Sequence, residues 1–384
     1  MSSWSIDNMI QDKVNNFFQF FKLDKYLFFL IVMTLSFGFI ILFTASASSE
    51  KLLLLQFRNL AIALIVMLVI AQIPPRILKL YSPYLMAIGV ILLILVYFFG
   101  SYGGGAKRWL DIGIIRFQPS EIMKIIVPIA IASILSEKNI PPRLGPVLIS
   151  LLAIFLIGFL IYKQPDLGTA LLIVSSGIYV LFFAGVRIQI IKNVWINLSV
   201  IFSSILGTLY LAWNYFLLPY QKQRILTMID PESDPLGSGY HIIQSKIAIG
   251  SGGLTGKGYG AGSQSQLDFL PEHSTDFIFS VLAEEMGFVG VIFLLFLYGL
   301  IIYRSFQISI KSEDNFSKLL GLSLTLVFFT YVAINIAMVA GLVPVVGVPL
   351  PLVSYGGSSL LTILAIFGII MSVNKHKLPG YLKK

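Results

Sequence analysis

Ten apolar runs, each close to the length of a bilayer span, alternate with polar segments along this chain of 384 residues. A helix needs about 20 apolar residues to cross the hydrocarbon core, and charge, proline or glycine bounds each run. The pattern predicts an all-α polytopic membrane protein with about ten transmembrane helices. The predicted spans are residues 26–44, 52–73, 84–99, 121–135, 147–162, 169–185, 196–218, 276–303, 319–343 and 354–373.

Basic residues are distributed unevenly between the two sets of segments that the spans separate. Sixteen of the 27 lysines and arginines fall on one side, nine on the other and two within spans. Because cytoplasmic loops carry the basic excess, the first side is predicted to be cytoplasmic, with both termini inside. The large outer loop, about 219–275, is too glycine-rich to form a core of its own. We therefore expect a single integral membrane domain over 1–384.

The composition excludes several classes of protein. With 57% hydrophobic and 12% charged residues, the chain has too much apolar surface for a soluble enzyme. Its net charge of +9 is spread between the apolar runs, which argues against a nucleic-acid partner. Zero cysteines exclude disulfides and thiolate catalysis, and three scattered histidines argue against a histidine-only metal site.

A polar cluster surrounds the start of the fourth run. Ionisable groups at membrane depth are costly unless paired or hydrated, so they mark candidate sites. Ser120 is a predicted N-cap, and Glu121 and Lys124 share a helix face at i, i+3. A capped helix with a local ion pair is the structural interpretation. The functional one is a site for an anionic headgroup, because Arg108 and its neighbours add cationic groups.

Two further segments carry polar residues between or before apolar runs. The segment 163–168 is either a turn in which Asp166 caps the next helix or a re-entrant break. Before the eighth run, Asp276 lies at the lip of the membrane, where helix capping is again the structural alternative. Glu284 and Glu285 follow about 12–14 Å deeper, and at least one of them needs a cationic partner or a water-filled cavity.

The glycine run 250–262 matches neither the dinucleotide fingerprint nor the phosphate loop. In each register of the dinucleotide fingerprint, a residue other than glycine stands at the third glycine position. The phosphate loop needs Ser or Thr after its lysine, whereas Gly258 follows Lys257 here. We expect a flexible or re-entrant outer loop. The preceding residues 239–248 predict a short amphipathic helix on the interface, from which Lys246 can meet a phosphate.

The sequence contains five long motifs: RWLDIGIIRFQPSE, QPDLGT, QKQRILTMIDPESDPLGSGYHIIQSKIAIGSGGLTGKG, SQSQLDFLPEHSTDFIFSVLAEEMGFVG and PLPLVSYGGSS. They resemble the SEDS family of shape, elongation, division and sporulation proteins, and more its rod-shape branch than its division branch. The resemblance covers the chain from about the first span to the last. It implies a peptidoglycan glycosyltransferase that polymerises lipid II at the outer face of the bacterial cytoplasmic membrane, for elongation and rod shape.

The resemblance also implies partners and a key residue. The partners are lipid II, glycan linked to undecaprenyl pyrophosphate, membrane lipid and a class B penicillin-binding protein that crosslinks the product. The family's essential aspartate matches Asp276. Two rival functions stay open: a flippase for lipid II, which ten spans and a broken helix would suit, and a non-catalytic scaffold for the penicillin-binding protein.

The chemistry of glycan extension agrees with this assignment. The acceptor 4-hydroxyl attacks an anomeric carbon bearing a pyrophosphate, and Asp276 fits the general base, with apolar neighbours raising its pKa. The leaving pyrophosphate needs positive charge, and a divalent cation (Mg or Mn) held by carboxylates is an optional supplement. The predicted substrate-binding residues are Arg108, Trp109, Gln118, Ser120, Glu121, Lys124, Asp166, Arg224, Lys246 and Glu272.

Overall fold

A computed structural model describes residues 23–375 except 47–48, 104–105, 112, 114–115, 138–139, 187–193, 236 and 267–271. Helices make up most of this part of the chain. A π-helical turn covers Ala212–Phe216, and a 3₁₀ turn covers Pro231–Ser233. The elements are α1 (Lys25–Ala45), α2 (Glu50–Gln72), α3 (Pro75–Phe99), β1 (Ser101–Gly103), β2 (Ala106–Asp111), β3 (Arg116–Phe117), α4 (Pro119–Ser136), α5 (Leu144–Tyr162), α6 (Leu167–Phe183), α7 (Val194–Leu211), α8 (Pro219–Ile229), α9 (Ser238–Ser251), α10 (Ser263–Gln266), α11 (Ile278–Ile310), α12 (Asn315–Val339) and α13 (Gly357–Lys375).

Eight of these helices are long and apolar enough to cross a membrane: α1 to α5 and α11 to α13. The prediction of a helical polytopic membrane protein is therefore confirmed. The other two predicted spans coincide with α6, an apolar helix of 17 residues, and with α7. Among the eight, α4 and α13 lie at the centre, since 78% and 72% of their spanning windows are buried, against 17% for α2.

The third span is longer than predicted. The helix begins at Pro75 and continues through Pro83, whereas the sequence predicts a span at residues 84–99 that starts only after this proline. Proline at the first helical position costs no hydrogen bond. Inside a membrane helix, a proline is tolerated because neighbouring groups satisfy the freed backbone carbonyl.

A small antiparallel sheet connects α3 to α4. Ser101 of β1 pairs with Trp109 of β2, and Leu110 of β2 pairs with Phe117 of β3. The all-α prediction missed this sheet because strands of two to six residues leave little periodic signal beside spans of about 20. Strand β2 carries Arg108 and Trp109, two of the predicted site residues.

The segment 163–168 forms a turn between two antiparallel helices. Residues 163–165 turn the chain, and Asp166 caps α6 by accepting a hydrogen bond from the Thr169 backbone amide at 3.1 Å. Glycines let the two helices approach: a Cβ on Gly158 would lie 2.8 Å from Val174. Of the two interpretations of this segment, the turn with an Asp166 cap describes the structure, and the re-entrant break does not.

Helix α11 is broken near its start, and the glycine run fills the break. Gly287 has a φ of +64°, in the left-handed region that favours glycine. The Phe288 amide donates to the Gly253 carbonyl at 3.0 Å, and the Lys257 amide donates to the Glu284 carbonyl at 2.9 Å. Backbone of the glycine run thus supplies partners that a continuous helix would have provided. Of the two expectations for this loop, the re-entrant one agrees with these contacts.

Glu284 has the cationic partner that its depth requires. Its side chain is fully buried, and Lys257 Nζ lies 2.6 Å from Glu284 Oε1. The Ser263 hydroxyl and the Gln264 backbone amide donate to the same carboxylate at 3.0 and 3.2 Å. This confirms the expectation that at least one of the two glutamates is paired.

Candidate active site

A cavity of about 510 Å³ opens on the side of the long loop. Its walls come from β2, the start of α4, the turn before α6, α8, the segment before α11, α12 and the segment that leads into α13. It gathers nine of the eleven predicted site residues from positions that are far apart in sequence. They are Arg108, Trp109, Gln118, Glu121, Lys124, Asp166, Arg224, Glu272 and Asp276.

Asp276 lines the cavity, two residues before α11 begins. Its pKa is raised from 3.8 to about 6: burial and, next, the nearby Glu272 carboxylate raise it, and the Arg224 guanidinium partly offsets this rise. Gly347 faces the carboxylate so closely that a Cβ on it would lie 3.5 Å from Asp276 Oδ2. A carboxylate with this pKa is ionised at neutral pH and is still a competent proton acceptor.

Arg108 is held in place by the turn before α6. Its guanidinium donates to the Pro165 carbonyl at 2.6 Å, and its Nε lies 3.6 Å from Asp166 Oδ2. The Gln118 amide donates to the same Asp166 oxygen at 3.2 Å. Asp166 therefore caps α6 with one oxygen and orients two cavity-lining side chains with the other. The predicted helix cap is therefore present, and Asp166 also lies in the cavity wall.

Lys124 forms the buried floor of the cavity. Its side chain is 2% exposed, and Nζ lies 2.5 Å from Glu121 Oε1. It also donates to the Tyr331 hydroxyl, which in turn donates to Glu121 Oε2 at 3.4 Å. The predicted ion pair is present, and the same pair faces the cavity. This arrangement holds a positive charge at a depth where an unpaired cation would be costly.

Arg224 reaches the cavity from the long loop. It lies on α8 and donates to the Val345 carbonyl at 2.9 Å, which connects the loop to the segment between α12 and α13. Arg108, Lys124 and Arg224 thus converge on one space from three different elements. Their convergence suits an anion with several oxygen atoms, such as a pyrophosphate.

Two predicted site residues lie outside the cavity wall. Ser120 was predicted as the N-cap of α4, but Gln118 occupies that position and Pro119 the first helical one, so Ser120 lies buried within the first turn. The N-cap prediction is wrong because Pro119 starts the helix instead of ending the irregular segment before it. Lys246 is exposed on α9, beside Gly341.

Several cavity residues were missed from the sequence. Thr275 and Tyr331 line the wall, as do Tyr355 from the segment that leads into α13 and Ser358 and Ser359 from the first turn of α13. The last three were counted inside the final predicted span at 354–373, whereas α13 begins only at Gly357, so Tyr355 lies before the helix and the two serines lie at its start. The motif PLPLVSYGGSS was a usable signal, because two prolines and two glycines beside an apolar run indicate irregular backbone.

A second, apolar groove of about 300 Å³ adjoins the cavity. It shares Arg108, Asp166 and Arg224 with the cavity and continues between α6, α8 and the end of α12. Leu171, Ile225 and other aliphatic side chains line its far part. Among the described residues, no group of three or more His, Asp or Glu side chains is placed to hold a metal ion.

A profile of the FtsW/RodA/SpoVE family, described as cell cycle protein, matches residues 24–378. The chain belongs to this family. It is the SEDS family that the sequence motifs indicated, so that prediction is confirmed. The chain is also 47% identical over 355 residues to the peptidoglycan glycosyltransferase MrdB of Escherichia coli strain K12, a match that covers 92% of this chain and 94% of that one.

Solved structures show the same relationship. One of them comes from a study of how a peptidoglycan synthase complex coordinates polymerisation and crosslinking. That chain superposes on this one with a TM-score of 0.79 at 32% identity, and the match covers 93% of this chain and 99% of that one. The rod shape determining protein RodA of Thermus thermophilus superposes with a TM-score of 0.70 at 28% identity, covering 93% and 98%. Family and fold together identify the chain as a peptidoglycan glycosyltransferase of the bacterial cytoplasmic membrane, as the motifs implied.

Proposed function

We propose that this glycosyltransferase polymerises lipid II at the outer face of the cytoplasmic membrane, with Asp276 as the general base. The observation that carries the proposal is the pairing of one basic carboxylate with three cations in a single cavity. Asp276 has a pKa of about 6, and Arg108, Lys124 and Arg224 line the same space. The first can accept a proton, and the others can stabilise a departing anion.

The reaction follows from these two parts of the cavity. The 4-hydroxyl of the acceptor sugar attacks the anomeric carbon of the donor, and its proton passes to the Asp276 carboxylate. The bond to undecaprenyl pyrophosphate breaks as the new glycosidic bond forms, so the configuration inverts. Negative charge grows on the pyrophosphate, where the cationic side chains act. Polyprenyl chains fit apolar grooves that adjoin the cavity, such as the one lined by Leu171 and Ile225.

The proposal includes a topology of ten spans with both termini in the cytoplasm, in one domain covering 1–384. Helices α6 and α7 add two spans to the eight that satisfy length and hydropathy. The basic excess on one side supports this orientation. It places the cavity and the loop 219–275 on the outer side, where lipid II is exposed after translocation.

The partner in this proposal is a class B penicillin-binding protein. The similar chain from the peptidoglycan synthase complex supports it, since that study concerns polymerisation together with crosslinking. From the sequence alone, a flippase and a non-catalytic scaffold were the two rival functions. The polymerase is favoured because the charged residues converge on a cavity at one side, whereas a flippase needs a polar path to the inner leaflet.

Purified protein in complex with its penicillin-binding protein is expected to convert labelled lipid II into glycan strands, because the cavity combines a base with cations. In liposomes containing this chain alone, lipid II is expected to stay in its original leaflet. A parallel reaction with EDTA measures any contribution of a divalent cation. Transfer of lipid II between leaflets, without glycan formation in the first assay, would instead identify a flippase.

A further inference from the structure

Three consecutive backbone carbonyls before α11 each receive a hydrogen bond from the C-terminal part of the chain. The Tyr355 amide donates to the Ser274 carbonyl at 2.9 Å. The Ser354 hydroxyl donates to the Thr275 carbonyl at 2.5 Å, and the Asn335 amide donates to the Asp276 carbonyl at 2.8 Å. The peptide chain that carries the catalytic aspartate is thus held at three successive points.

The two side chains that make these bonds are themselves fixed. Asn335 is fully buried in α12, and its second N–H donates to the Val348 carbonyl at 2.7 Å. The Ser354 hydroxyl also accepts a hydrogen bond from the Leu350 amide at 2.8 Å. Both residues therefore join the 274–276 segment to the irregular segment 345–356, which forms the opposite wall of the cavity.

A third element supports the same region from α2. The Gln56 amide donates to the Ser354 carbonyl at 3.4 Å, and the Gly356 amide donates to Gln56 Oε1 at 3.3 Å. Gln56 is 3% exposed, so these contacts lie away from water. Gln56 thus fixes the backbone around Ser354 and Gly356, which in turn contacts the 274–276 segment.

We infer that Ser354 and Asn335 are positioning residues for Asp276, which fix its backbone so that the carboxylate faces the acceptor hydroxyl in the cavity. The inference rests on the proposed role of Asp276 as general base. Neither residue bonds to the carboxylate, so both act through the main chain. Positioning matters because a displacement of about 1 Å can lower the rate of an enzyme by about 10²-fold.

The pH dependence of the rate distinguishes positioning from simple stability. If the 274–276 segment is released, the Asp276 carboxylate gains access to water, and its raised pKa falls toward the ordinary value. The acidic limb of the rate profile then moves to lower pH. A loss of folded protein lowers the amplitude and leaves the limb where it was. The charged groups that share the cavity with Asp276 are Arg108, Glu121, Lys124, Asp166, Arg224 and Glu272.

The test compares Ser354→Ala and Asn335→Leu with the wild-type complex in lipid II polymerisation between pH 5 and 8. Each variant removes the side-chain donors without adding charge. We expect kcat to fall roughly 10- to 100-fold, KM to change less than about twofold, and the acidic limb to move to lower pH. Ser354→Thr keeps the hydroxyl and is expected to recover most of kcat and the original limb.

Ser323→Ala is the matched control. Ser323 lies on α12 like Asn335, is fully buried, and donates to the Ser176 carbonyl at 2.9 Å, away from the cavity. It is expected to retain the wild-type limb and kcat. If Ser354→Ala and Asn335→Leu keep the wild-type kcat and the wild-type position of the acidic limb while Asp276→Asn is inactive, the inference is overturned but the proposed function is not. An equal loss of kcat in Ser323→Ala would also overturn the inference. Full activity of Asp276→Asn would overturn the proposed function instead.

Discussion

Replacing Asp276 with asparagine is expected to lower the rate of lipid II polymerisation by about 10²- to 10⁴-fold, the usual contribution of a general base. The amide matches the carboxylate in size, but it cannot take the proton of the acceptor hydroxyl. Since Asp276 lies outside the spanning helix and is only partly buried, the folded protein should persist. The measurement is glycan formation from labelled lipid II by the purified complex at saturating substrate.

Two variants control this result. Asp276→Glu keeps a carboxylate and should retain more activity than the asparagine variant. Its rate should stay below that of the wild type, because the longer side chain displaces the carboxylate oxygens from their position in the cavity. Asp230→Asn changes an exposed aspartate in the same outer loop and should behave as wild type. Polymerisation by Asp276→Asn at the rate of the Asp230→Asn protein would remove Asp276 from the mechanism.

Replacing Lys124 with methionine is expected to affect both folding and catalysis. The change leaves the Glu121 carboxylate buried without its cation, which costs about 3–5 kcal/mol when one member of a buried pair is removed. It also removes a positive charge from the place where pyrophosphate charge develops, which costs about 10²-fold or more in rate. Thermal unfolding in detergent and the polymerisation assay measure the two effects separately.

A double variant separates the structural role of this pair from its catalytic role. Glu121→Gln combined with Lys124→Met removes both charges, so most of the stability should return. Polymerisation should stay low, because the cavity still lacks the Lys124 cation. If the double variant instead polymerises lipid II like wild type, the pair serves only as the local ion pair of a capped helix.

Much of the fold was predictable because membrane spans follow from composition along short stretches. A helix lies at the position of every predicted apolar run. The position of Glu284 within such a run also indicated that its carboxylate needs a partner, which the structure shows. The partner itself, Lys257, was not predictable, since it lies in the glycine run that fills the break at Gly287. This pair joins residues 27 positions apart in the sequence and leaves no local periodic signal.

The residues of the candidate site were likewise predictable only in part. Charged residues such as Asp276 and Lys124 were found because their burial in a membrane protein is costly and demands an explanation. Tyr331 and Asn335 were missed because, within an apolar helix, an uncharged polar side chain is inexpensive and common. Ser354 was missed for a second reason: the irregular segment before α13 looked like the beginning of the last span.

The pH profile of kcat/KM tests most directly whether the Asp276 carboxylate is the base for polymerisation. The base form must be ionised, so the rate should rise with pH and level off above an apparent pKa of about 6. Glu272→Gln should move this limb to lower pH, because the Glu272 carboxylate raises the pKa of Asp276. A profile that is flat through this range, or a limb that remains in the residual activity of Asp276→Asn, would contradict the account.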